Sequence, residues 1–164
     1  MTEIDPGNYK TLSFDVYGTL IDWENGILGY LQPLLESYDV HVIDTWVLEQ
    51  FAEMEPQIQG DGGSYRQVLA RILERFANRL AFIPGEDALA GFPNSIEYWQ
   101  PFADTVPALQ ALGEKFELVV LSNRVPCRMD WIGIAGWDKL RTSPIYLNDV
   151  TAHFAGGMNT PAAS

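Results

Sequence analysis

Two short apolar runs, separated by a long helical stretch, constrain the fold of this chain more than any other feature. The first run, Tyr9 to Val16, has the alternation of a strand and is followed by a turn at Gly18. The second, Phe116 to Leu121, is continuously apolar with β-branched residues, which is typical of a strand buried in a parallel sheet. A strand, a helical excursion and a second strand form a βαβ unit. The sequence therefore predicts an α/β fold with a helical insert after its first strand.

The stretch between the two runs is predicted to form helices, because its apolar residues recur at helical spacing. The predicted helices span Trp23–Tyr38, Ile43–Met54, Tyr65–Leu80 and Thr105–Gly113, with Asp22, Ser64 and Asp104 as N-caps of the first, third and fourth. Pro33 is expected to kink or break the first of them. Residues 84–101 indicate short helical pieces and turns. We therefore expect residues 22–100 to form a helical insert, and residues 1–21 and 101–164 an α/β core.

The charge of the chain excludes some classes of partner. Its 10 lysines and arginines stand against 22 aspartates and glutamates, for a formal net charge of −12. This balance offers no basic surface to nucleic acid or to an anionic membrane. Cys127 is the only cysteine, which fits a reducing compartment, and the first residues carry acids where a secretory leader needs basic groups. We expect a cytoplasmic protein that binds neither nucleic acid nor membrane.

Chemistry is expected where the two predicted strands end, because α/β folds bind ligands at the carboxyl ends of parallel strands. The polar or turn-forming residues at these ends are Asp15, Tyr17, Gly18 and Thr19 after the first strand, and Ser122 and Asn123 after the second. Gly18 would turn the backbone so that N–H groups, together with the Thr19 hydroxyl, donate hydrogen bonds to Asp15. Those bonds would keep Asp15 ionised for nucleophilic attack. Taken singly, each residue is more often a turn or cap residue, and only their joint occurrence favours a site.

Both strand ends resemble motifs of a known family. Phe14–Leu20 resembles the first signature of the haloacid dehalogenase (HAD) superfamily, and Leu118–Asn123 resembles the second. The resemblance implies a Rossmann-like core with a parallel sheet and a helical cap inserted after the first strand. Phosphatases of the superfamily usually carry a second aspartate two residues after the nucleophile, where this chain has Tyr17. A tyrosine there is similar to the type II 2-haloacid dehalogenases, which implies a reaction without a metal cofactor.

By this resemblance the chain would be a hydrolase that removes halogen from a short 2-haloacid, a small organic acid, through an ester on Asp15. From the residues alone, Ser122 and Asn123 offer hydrogen-bond donors that suit a carboxylate or a phosphate oxygen of a substrate. By the same resemblance, Thr19 would orient Asp15 and Ser122 would bind the substrate carboxylate. Asn123 would line the halide pocket, and Tyr17 and Trp23 would form walls of the cavity.

Two features of the family have no clear counterpart here. Members bring an arginine from the early cap to the halide, whereas His41 is the only potential cation in the segment 39–55, and Arg66 would have to act from the next helix. Members also carry a third motif with a lysine and a fourth with an acid. Lys139 lies too close to the second motif, and Asp149 matches the fourth only faintly. By the resemblance, the C-terminal part of the core is therefore expected to be incomplete or divergent after the second motif.

These departures leave alternatives to a dehalogenase open. One is a HAD-type phosphatase that uses Mg²⁺ to act on a small phosphorylated metabolite. Another is a catalytically impaired remnant that acts only by binding. The sequence also leaves open whether the protein forms a homodimer.

Overall fold

The structure is a computed structural model that describes residues 6–120 and 141–142. In chain order, its strands and α-helices are β1 (Thr11–Phe14), α1 (Trp23–Ser37), α2 (Asp44–Gly60), α3 (Tyr65–Leu80), α4 (Glu86–Ser95), α5 (Thr105–Gly113), β2 (Glu117–Val120) and β3 (Arg141–Thr142). Short 3-10 helices lie at Pro6–Asn8 and Ile96–Tyr98. The predictions that concern Ser122, Asn123, Lys139 and Asp149 fall outside the described residues. Of the helices described, none has the length and apolar character needed to cross a membrane.

The strands form one parallel sheet in the order β1-β2-β3. β1 and β2 pair along their whole length, from Thr11 opposite Glu117 to Phe14 opposite Val120. All five α-helices lie between β1 and β2 in the chain, so the connection between these neighbouring strands is a long helical crossover. The predicted α/β fold with a helical insert after the first strand is confirmed.

Helix α3 is the clearest case of a helix specified by its own sequence. Ser64 and Gln67 form a capping box at its start, in which each side chain bonds the other residue's backbone. The apolar residues that recur along it are buried, at Val68, Leu69, Ile72, Leu73 and Phe76. The opposite face carries exposed arginines, as the pattern predicts.

Two prolines lie inside helices without ending them. Helix α1 continues through Pro33, where a kink or break is predicted, and α2 continues through Pro56 to Gly60, beyond its predicted end. Both prolines are exposed, whereas Leu35 and Ile58, on the turns that follow them, are fully or almost fully buried. Burial of these apolar groups stabilises the last turns enough to offset the hydrogen bond that each proline removes.

Two short segments pair where the chain leaves the sheet region for the helices and where it returns. Ile21 forms an antiparallel bridge with Pro101, and the Asp22 N–H donates to the Gln100 carbonyl at 2.9 Å. The buried Thr105 hydroxyl donates to the Leu20 carbonyl at 3.0 Å. These bonds tie the turn after β1 to the start of α5.

The start of α5 differs in one detail from the prediction. Asp104 occupies the N-cap position, but its side chain accepts no cap hydrogen bond, because its backbone is already helical rather than extended. The N-cap predicted at Asp22 is confirmed, since its carboxylate accepts from the Asn25 N–H at 3.2 Å.

Candidate active site

Asp15 lies one residue beyond β1. Phe14, the last residue of β1, pairs with Val120, the last residue of β2, and the two strands are parallel. Asp15 therefore stands at the edge of the sheet where both strands have their carboxyl ends, which is where α/β folds bind ligands. Its side chain is exposed.

The turn after Asp15 is closed by its own backbone. The carbonyl of the buried Val16 accepts hydrogen bonds from the three N–H groups of residues 19–21, at distances between 2.8 and 3.3 Å. These bonds draw Val16 out of the sheet, so β1 ends at Phe14, two residues earlier than predicted. Asp15 is thus presented at the start of a tight turn rather than within a strand.

Gly18 gives the turn its direction. Its φ of 83° lies in the left-handed region that favours glycine. Its N–H donates to the Ile21 carbonyl at 2.9 Å and so helps to close the turn. Donation of backbone N–H groups to the Asp15 carboxylate stays a prediction. A Cβ at Gly18 would also lie only 3.1 Å from the indole nitrogen of Trp23. The backbone angle favours glycine here, and a Cβ would make a tight contact with the indole.

Thr19 is exposed in the same turn, and its N–H donates to the Val16 carbonyl at 3.3 Å. The hydrogen bonds within residues 6–120 include none from the Thr19 hydroxyl to Asp15. Orientation of Asp15 by Thr19 stays a prediction.

Aromatic side chains enclose the turn from the helical side. Tyr17 is half-buried between Tyr65, at 6.0 Å between ring centroids, and Trp99, at 5.8 Å and nearly edge-on. Trp23 packs against Phe51, with 5.8 Å between centroids. These distances are those of favourable ring pairs. The turn after Asp15 therefore lies against aromatic rings from α1, α3 and the segment that follows α4, and Phe51 of α2 packs behind Trp23.

The cations considered for the halide are engaged elsewhere. Arg66 binds the side chains of Asn94 and Glu97 through its two terminal nitrogens, which commits it to the end of α4. His41 lies on the surface, 3.3 Å from Asp39, with its side chain 74% exposed. Within the described residues, no ion pair includes Asp15.

A metal site is also not assembled in this part of the chain. Across residues 6–120 and 141–142, no three His, Cys, Asp or Glu side chains come close enough together to hold a metal ion. The predicted partners Ser122 and Asn123 lie outside those residues. Of the other predicted site residues, Tyr17 and Thr19 share the turn of Asp15, and Trp23 lies beside Gly18 in that turn.

Sequence reasoning missed three residues that belong to this wall, namely Phe51, Tyr65 and Trp99. Phe51 and Tyr65 have the spacing of ordinary core residues on α2 and α3, and both are buried. Trp99 directly precedes the segment that pairs with Ile21 and Asp22, a pairing that no local sequence pattern indicates. Only the tertiary structure shows that Tyr65 and Trp99 meet Tyr17 and that Phe51 meets Trp23.

The chain matches no protein-family model and no curated protein. It is similar to several solved structures. One is the defluorinating L-2-haloacid dehalogenase Rha0230, with a TM-score of 0.71 and 19% identity over 92% of this chain and 71% of that one. A second is the L-2-haloacid dehalogenase from Xanthobacter autotrophicus, with a TM-score of 0.65 and 19% identity over 94% of this chain and 67% of that one. A third is the HAD-hydrolase YfnB from Bacillus subtilis bound to magnesium, with a TM-score of 0.62 and 17% identity over 82% of this chain and 63% of that one.

At these identities the likeness shows the fold. The chain has the α/β fold of the HAD-like haloacid dehalogenases, as the two motifs predict. Because dehalogenases and a magnesium-bound hydrolase share this fold, the fold by itself does not choose between halide and phosphate chemistry.

Proposed function

Because this chain has the HAD-like haloacid dehalogenase fold, we propose that it is a hydrolase that removes halogen from short 2-haloacids, with Asp15 as the nucleophile. The proposal places it in the type II branch of 2-haloacid dehalogenases. It needs no metal ion. The single cysteine supports a cytoplasmic setting.

The observation that carries the proposal is the environment of Tyr17. The phosphatases of the superfamily use a carboxylate at this position to help hold Mg²⁺, whereas here an aromatic ring fills it and packs between Tyr65 and Trp99. A magnesium site needs oxygen ligands, and phosphoryl transfer depends on the charge that the metal neutralises. An aromatic wall favours a small, partly apolar substrate such as a haloalkanoate over a phosphate ester.

The proposed reaction has two displacements. A carboxylate oxygen of Asp15 attacks C2 of the substrate, so that a C–O bond forms while the carbon–halogen bond breaks and its electron pair leaves with the halide. Water then attacks the carbonyl carbon of the aspartyl ester, which frees the 2-hydroxy acid, restores the carboxylate and releases one proton to solvent. In this scheme Thr19 orients Asp15, Ser122 binds the substrate carboxylate, and Asn123, Tyr17 and Trp23 line the cavity.

A comparison of two products tests the proposal. The purified chain is incubated with each enantiomer of 2-chloropropionate in the presence of EDTA, and chloride is measured. A parallel sample receives Mg²⁺ and a panel of small phosphate monoesters, and phosphate is measured. We expect chloride release that EDTA does not reduce. Magnesium-dependent phosphate release without chloride would establish the phosphatase instead, and a folded sample with neither activity would establish a binding protein.

A further inference from the structure

Trp23 lies against the turn that presents Asp15. It is the first residue of α1 and is half-buried, and its ring packs on Phe51. The edge of the indole that carries the nitrogen faces Gly18, since a Cβ built there would lie 3.1 Å from Nε1 and 3.4 Å from Cδ1. An N–H donor therefore stands beside the backbone three residues after the nucleophile.

This donor is not used by the part of the chain that the structure describes. Within residues 6–120, no hydrogen bond includes the Trp23 indole N–H. The indole of Trp99 provides a contrast, because its Nε1 donates to the Ser95 hydroxyl at 3.3 Å. An indole nitrogen can only donate, so the partner that suits Trp23 is an acceptor, and an anion accepts most strongly.

Cations near this position are committed to other partners. The segment 39–55 contains no lysine or arginine. Arg66 is bound by Asn94 and Glu97, while Arg75 and Arg79 on the same helix bond to side chains of α2. A halide that leaves C2 of a haloacid gains a full negative charge, and no ion pair among residues 6–120 joins an arginine to Asp15.

We propose that the Trp23 indole N–H binds the departing halide and takes the role that a cap arginine would otherwise have. This inference rests on the proposed dehalogenation. As the carbon–halogen bond breaks, negative charge grows on the halogen, and a fixed donor beside that charge stabilises the transition state more than the neutral ground state. The proton stays on Nε1 throughout. Contact with Phe51 and Gly18 holds the ring in place, so the donor needs no reorganisation.

Halide binding can be tested without turnover. The full chain is labelled with ¹⁵N at its tryptophan indoles and titrated with bromide, against sulfate at equal ionic strength. The Trp23 resonance is assigned as the one lost in Trp23→Phe, and Trp46→Phe assigns a reference indole on α2 that packs against Phe76. We expect bromide to shift the Trp23 resonance saturably and to leave that of Trp46 in place. A Trp23 resonance that moves no more than that of Trp46 would overturn the proposal.

Turnover provides the second measurement. Trp23→Phe keeps an aromatic ring against Phe51 but removes the indole N–H, so we expect kcat for 2-chloropropionate to fall roughly 100-fold, with a smaller change in KM. Trp46→Phe should leave kcat unchanged. Undiminished kcat in a folded Trp23→Phe protein would refute the role of Trp23 in binding halide but not the proposed dehalogenation. A wild-type chain that binds bromide at Trp23 but releases no chloride would instead refute the proposed reaction.

Discussion

Replacing Asp15 by asparagine is expected to lower chloride release from 2-chloropropionate at least about a thousandfold. The amide has nearly the same size and shape as the carboxylate but is a far weaker nucleophile. The turn should survive the change, because its hydrogen bonds join backbone groups of residues 16–21 and do not include the Asp15 side chain. The expected loss is therefore one of chemistry and not of folding.

Asp104→Asn is the matched control for this variant. It makes the same substitution at an exposed position where the side chain forms no cap hydrogen bond, and asparagine is an equally good N-cap residue. Its chloride release should equal that of the wild type. The mass of the peptide that contains residue 15 must be checked in Asp15→Asn, since hydrolysis of the amide would restore the nucleophile. An intact Asp15→Asn protein with more than about a tenth of wild-type activity would exclude Asp15 as the nucleophile.

Gly26→Ala is expected to have the largest effect on stability. Gly26 lies on α1 where a Cβ would stand 2.4 to 2.7 Å from three atoms of the Trp99 indole. Trp99 is only 2% exposed, and its ring also contacts Tyr17 and bonds Ser95, so it has little room to move away. We expect a loss of about 2 kcal/mol in the free energy of unfolding, because overpacking outweighs the better helix propensity of alanine.

Gly29→Ala, three residues further along α1, is the control for that prediction. A Cβ at Gly29 meets no atom within 4 Å, so alanine should gain about 0.5–1 kcal/mol from helix propensity alone. Urea denaturation of both variants gives the comparison. Since Trp99 also borders Tyr17, Gly26→Ala should reduce kcat as well. Two variants of equal stability would show that α1 and Trp99 are not packed as described.

Local patterns were sufficient to predict most of the fold. The periodicity and capping box of α3 are complete within one segment, and the turn at Gly18 needs only residues 16–21 to form. Helix ends were harder to predict, because tertiary burial decides them. Pro56 argues for an early end to α2, but burial of Ile58 carries the helix to Gly60.

The candidate site was predictable only in the turn that follows Asp15. Asp15, Tyr17 and Gly18 are neighbours in the chain, so a single sequence motif contains all three. The wall that encloses them is assembled from residues distant in sequence, and no local pattern shows that Tyr65 and Trp99 meet Tyr17. The partners of Arg66 are likewise set by residues distant in sequence. The sequence leaves Arg66 available as a halide ligand, but in the fold its side chain binds Asn94 and Glu97.

A single-turnover reaction in H₂¹⁸O tests the central claim, that Asp15 forms an ester with the substrate. With enzyme in excess over 2-chloropropionate, water attacks the aspartyl carbonyl, so one ¹⁸O should enter the peptide that contains Asp15, while the first 2-hydroxy acid formed carries none. Mass spectrometry of peptide and product distinguishes the two positions. An unlabelled Asp15 peptide together with ¹⁸O in the product would show direct attack of water on the substrate and would contradict the account.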